Sequence, residues 1–222
     1  MAYYFGFLPS DKLNQMIDEA QQLIASNSTE DYYPYRNALT QQIARELNDN
    51  LLVSLIDVIP NPERKAAMQK IIVTIERTTE TLLNVLLGKD SNEDILPSFD
   101  FLKNQSIFID KKGMRRVGFK LSEPIAQTIN DGFAAITPET VDRDKFKTAL
   151  ETMTDASLHH FMTRFTETLK LGMIKRKSVP VAKVAIDKGM SMALNKLLPQ
   201  LPDAGLNRLA IFYRPYLLQM DD

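Results

Sequence analysis

The sequence predicts a mainly α fold: a helical bundle with two long antiparallel helices and one small basic β-hairpin. Apolar residues recur at three-to-four spacing over most of the 222 residues, as helices with one buried face require. Prolines and capping side chains stand at the starts of these stripes. Only the stretch SIFIDKKGMRRVGFKL, Ser106 to Leu121, reads with the two-residue period of a strand.

Ser10 caps a first predicted helix to about Ser26, striped by Leu13, Met16, Ile17, Ala20, Leu23 and Ile24. Pro34 starts a second that reaches Ile59 through Ile43, Leu47, Leu51, Leu55 and Val58. Asn61 caps a third whose stripe, Met68 to Leu86, runs to Gly88. So short a turn between two long helices predicts that they pair as an antiparallel hairpin. Lys89 to Leu96 reads as an acidic loop, followed by a short helical turn after Pro97. In the β-hairpin, Lys111, Lys112 and Gly113 form the turn, and the spacing predicts a ribbon projecting from the body. Ser122 and Pro124 open a fourth helix, and the stripe from Phe146 to Leu169 gives a fifth that ends at Gly172. Lys175 to Ser178 reads as a basic loop before a helix that starts at Pro180 and ends near Leu198. Asp203 caps a last helix to Tyr213, stopped by Pro215.

This length supports a single helical domain, residues 1–222, with a core that needs neither disulfide nor metal. A subdivision into an acidic helical half (1–96) and a basic half with the hairpin (97–222) is the alternative. The formal charge of −1 conceals the contrast between halves. Residues 1 to 100 hold 8 Lys+Arg against 15 Asp+Glu, and residues 101 to 222 hold 19 against 13. Halves of opposite sign suit packing on each other or in a head-to-tail dimer; an anion-binding second half is the sharper reading.

Cysteine is absent, which excludes thiolate zinc sites and cysteine nucleophiles. The first residues lack the pattern of a secretory signal, and no apolar run is long enough to span a bilayer. A cytoplasmic protein without a membrane span is therefore expected. No Gly-x-Ser-x-Gly elbow, P-loop or dinucleotide fingerprint occurs among the eight glycines. No catalytic residues and no cofactor are predicted, and an enzyme is disfavoured. A helix-turn-helix repressor is disfavoured too, because residues 1 to 60 carry only three basic residues against eight acidic ones.

The candidate anion-binding residues are Lys111, Lys112, Arg115, Arg116 and Lys120 near the hairpin, with Lys175, Arg176 and Lys177 further on. The competing explanation for the second group is that helix C-termini collect cations. Glu151, Asp155 and His159 share a helix side at i, i+4 and i+8, a weak metal candidate; the bland reading is a solvated face, with at most one histidine hydrogen-bonded inside. Glu76 and Glu80 read as polar surface. The aromatic residues Tyr3, Tyr4, Phe5 and Phe7 are candidate interaction residues, packing in a groove or across a dimer. Together these predict a non-enzymatic interaction or regulatory module that associates with itself or with another protein. The alternatives are a nucleic-acid or anionic-surface binder acting through the hairpin, and a helical protein holding an apolar ligand near Met153, Met162, Phe165, Met190 and Met192.

Overall fold

A computed structural model describes residues 1–220. The chain starts as strand β1 (Ala2–Phe7), then enters α1 (Asp11–Ala25) and α2 (Tyr33–Asn48). Helix α2 continues through a π-helical segment (Asp49–Val53) into a last turn (Ser54–Asp57). Next come α3 (Pro62–Leu86), α4 (Asn92–Gln105), the hairpin β2 (Ile107–Ile109) and β3 (Arg115–Leu121), and α5 (Glu123–Ala134). Helix α6 (Arg143–Leu158) likewise runs through a π-helical segment (His159–Arg164) into Phe165–Glu167. Helices α7 (Met173–Leu197) and α8 (Asp203–Tyr213) and strand β4 (Leu217–Met220) complete the fold, which is mainly helical with a small antiparallel sheet.

Two predicted caps, Ser10 and Asn61, form as their chemistry requires, whereas Asp203 is the first residue of its helix after Pro202 and accepts from Arg143 instead of capping. Ser10 Oγ accepts from the Leu13 amide at 3.1 Å, and Asn61 Oδ1 accepts from the Arg64 amide at 3.0 Å. Ser10 also donates to Glu46 of α2, whose buried carboxylate accepts from the Ser10 amide at 2.9 Å and from its hydroxyl at 2.5 Å. One carboxylate thereby fixes the start of α1 against α2.

Two expected boundaries move and one expected helix pairing changes. The segment read as an acidic loop is the first half of α4, because Ser91 caps it through the Asp94 amide at 3.3 Å. Pro97, the sixth residue of α4, lies inside the helix, where its missing amide forfeits the backbone hydrogen bond to the Glu93 carbonyl. Similarly α7 starts at Met173 with Gly172 as its N-cap, so Lys175, Arg176 and Lys177 are helical and Pro180 lies inside the helix. Finally, α3 makes its most extensive packing with α7, not with α2. Lys175 Nζ donates to the Leu86 carbonyl, Gly189 lies against Ile75, and Leu197 and Met68 line one recess. The two 25-residue helices thus meet in opposite sequence order.

The hairpin does not project as a free ribbon. It belongs to a four-stranded sheet of order β2-β3-β1-β4, in which β1 is an inner strand paired with both β3 and β4. Phe5 stands opposite Phe119 and Phe7 opposite Val117, all buried on the face toward the helices. The predicted interaction residues Phe5 and Phe7 are therefore consumed by the chain's own core. Gly6 stands opposite Gly118, and a Cβ at Gly118 would fall 1.8 Å from the Phe5 carbonyl oxygen. The glycine that weakens this strand by propensity is what permits its close approach to β1.

Candidate functional site

The long helices α3 and α7 bury one side in the core through Ile72, Ile75, Leu82, Ile186, Met190 and Leu194. Their outer sides leave an open groove of about 750 Å³. Thr74, Thr78 and Thr81 of α3 and Ser178, Ala182 and Ala185 of α7 line it as small residues, with Val85, Ile174 and Val181 as larger apolar ones. Three hydroxyls are turned to their own helices. Thr74 Oγ1 donates to the Lys70 carbonyl and Thr78 Oγ1 to that of Thr74, both at 2.8 Å, and Ser178 Oγ donates to that of Lys175 at 2.6 Å. The groove therefore offers methyl and methylene surface more than hydrogen bonds. Ile174 is 87% exposed, Val181 71% and Val184, beside the groove, 65%. Single exposed apolar residues are ordinary, but a set standing together along two paired helices makes this face the candidate site.

Two cations, Arg77 and Lys177, line this groove, and no carboxylate does. Neither has an ion pair or hydrogen bond among the described residues. Helix α7 carries six Lys or Arg against one Asp, and that Asp187 accepts from Lys183 at 2.9 Å. Lys175, Arg176 and Lys177 stand at the N-terminal end of α7 rather than at a helix C-terminus. The macrodipole of α7 opposes cations there; Lys175 donates to the C-terminal Leu86 carbonyl of α3, so helix polarity accounts for Lys175 but not for Arg176 or Lys177.

The hairpin cations are largely engaged within the chain. Arg116 is buried, with its Nε donating to Asp110 at 2.8 Å. Asp110 also accepts from the Lys112 and Met114 amides, and the Met114 amide followed by Arg116 holds its carboxyl below the usual range. Arg115 reaches across to Asp18 at 2.7 Å and to Asn14 at 3.1 Å. Lys120 lies opposite Tyr4 in the sheet. Lys111, Lys112 and Arg116 do share a recess of about 280 Å³ with Leu217 to Met220 of β4. Lys175 to Lys177 belong to a different part of the fold, at the α3–α7 contact, so the two basic segments are separate features.

Other candidates disperse. Among the described residues no group of three His, Asp or Glu could hold a metal. Glu151 pairs with Lys147 at 3.6 Å, and His159 begins the π-helical segment of α6, where the regular i+4 register ends. Glu76 and Glu80 face α2, sharing a cleft of about 220 Å³ with Arg45 and Asp49; burial and then Glu46 raise the Asp49 carboxyl above its ordinary value. Met153 and Met190 are core residues, Met192 is partly exposed, and Met162 and Phe165 border a void of only about 70 Å³. Ligand pockets of roughly 300–1,000 Å³ are the rule, so this void suits no drug-sized molecule.

His160 escaped the sequence reading as an individual residue. It is buried between the rings of Phe101 and Phe119, with centroids 4.9 and 4.6 Å away, and its Nε2 lies 2.9 Å from Ser106 Oγ. Burial, reinforced by Arg164 and His159, pushes its pKa down to about 3. The pair superficially resembles a nucleophile and its base, but Ser106 is fully buried, and no substrate reaches it.

No family model matches this chain, and neither does any curated protein or solved structure. No helix among the described residues is long and apolar enough to cross a membrane.

Proposed function

We propose that this is a non-enzymatic, cytosolic interaction module that receives a partner protein in the groove between α3 and α7. The concentration of exposed apolar side chains on these two paired helices, around Val85, Ile174, Val181 and Val184, carries the reading. Laying a third helix into such a groove is a general mode of recognition. The sequence feature behind it is the mixing of apolar with basic residues along α7, which a wholly buried helix would lack.

A second reading rests on the recess shared by Lys111, Lys112 and Arg116, which suits an anionic ligand or nucleic-acid backbone. One experiment separates the two. A photo-crosslinking residue is placed at Val181 or at the exposed hairpin residue Met114 of the full chain, and adducts formed in cells are mapped with and without Val184→Glu. Protein adducts at position 181 that Val184→Glu removes support the groove. Adducts confined to position 114 replace it with the hairpin reading. Light scattering on the purified chain reports whether the adduct is a second copy.

A further inference from the structure

We infer that the occupant of the α3–α7 groove is an acidic amphipathic helix of another protein, not a second copy of this chain; this rests on the groove being the docking surface. The floor from Thr74 to Val85 covers twelve residues of helix, which at about 1.5 Å per step gives room for roughly three helical turns. Small residues line both walls, so a guest helix can approach closely while Ile174, Val181 and Val85 cover its apolar side.

Charge then selects the guest. Arg77 and Lys177 border the groove without internal partners among the described residues, and Arg176 and Lys188 are exposed on the same helix as Lys177. The N-terminal end of α7 adds its own partial positive charge to Lys175, Arg176 and Lys177. Carboxylates flanking an apolar helical stripe would complement every one of these groups. A symmetric dimer through the same face would bring together two copies of one patch that holds two cations and no carboxylate, which opposes it. A head-to-tail arrangement using the acidic half of a second copy would build rings or filaments of this chain, which light scattering on the purified protein distinguishes from a one-to-one complex with a guest helix.

The test uses the full chain and a displayed library of about 16-residue helices that share one Leu/Ala face and carry randomised Glu, Lys, Gln and Ser flanks. Selection should enrich acidic members. Arg77→Glu with Lys177→Glu should weaken them by about tenfold or more and flatten their salt dependence. Enrichment regardless of flank charge would overturn the acidic guest while leaving the groove reading intact. Retention no better than on Val181→Glu with Val184→Glu, which alters only well-exposed positions, would overturn both. Vesicles containing phosphatidylserine are run in parallel. Binding to them that Ile174→Glu abolishes, with no helix enriched, would overturn the guest helix in favour of an anionic lipid surface.

Discussion

Tyr213 of α8 donates its hydroxyl to the backbone carbonyl of Leu51, 2.6 Å away and 162 positions earlier in the chain. Leu51 lies in the π-helical segment of α2, where the wider turn disturbs the regular pairing of carbonyls. Asn50 Nδ2 donates to the Glu46 carbonyl at 2.7 Å, and Tyr216 donates to Asn50 Oδ1 at 2.8 Å, so side chains take over part of the helix's bonding. Tyr213 is fully buried. Tyr213→Phe keeps the ring and removes the donor, so it should cost about 1–2 kcal/mol, read as a lowered urea midpoint at unchanged m-value. An unchanged midpoint would show that the π-helical segment needs no external donor.

Glu46 and Ser10 make the corresponding tie between α1 and α2. Since the hydroxyl both caps α1 and donates to the carboxylate, the two residues should be energetically coupled. Ser10→Ala alone should cost about 1 kcal/mol as a lost cap. In a double-mutant cycle with Glu46→Ala, the coupling energy should be about 1 kcal/mol or more. Additive losses would mean that Glu46 contributes only through its bonds with the Ser10 amide and Gln42, not through the Ser10 hydroxyl.

Gly118 permits the close contact of the inner strands. Because an added Cβ meets backbone rather than a movable side chain, Gly118→Ala should cost more than about 3 kcal/mol or abolish folding. Gly113 is the control. It sits in the hairpin turn at φ +75° with open space around it, and Asn tolerates that conformation, so Gly113→Asn should cost less than about 1 kcal/mol. Similar melting curves for the two variants would refute the close-approach argument.

Local chemistry was the legible part of the fold. Ser10 and Asn61 mark helix starts, and the alternation from Ile107 to Leu121 gives the hairpin, because each signal lies within a few residues of what it determines. Tertiary partners were not legible. Nothing near Tyr3 or Phe5 states that this strand will sit between β3 and β4, and nothing near Pro180 states that packing on α3 will hold it inside a helix. The proline rule favoured a loop at Lys175 to Ser178, and so hid the groove that those residues border. Lys111, Lys112, Arg115 and Arg116 looked like a free cluster because Asp18 and Asn14, which hold Arg115, lie about a hundred residues away in sequence.

His160 sets the last prediction. Its pKa in the folded chain is about 3, against an ordinary value of 6.5, chiefly because its ring is buried between Phe101 and Phe119. Between those values the unfolded chain binds a proton that the folded chain does not, so falling pH favours unfolding. The contribution is fully present above the unfolded pKa and is lost as pH falls toward 3, at up to about 1.4 kcal/mol per unit. From pH 7.5 to 5 the loss should reach about 2 kcal/mol in a series of urea titrations. His160→Phe preserves an aromatic ring between its neighbours but has no titrating group, so its stability should change by about 2 kcal/mol less over the same window. The absolute stability of the variant is a separate matter, because Ser106 loses its buried partner. Only the slope tests the histidine, and wild-type and variant curves that run parallel from pH 7.5 to 5 would show that His160 is not the acid-sensitive group.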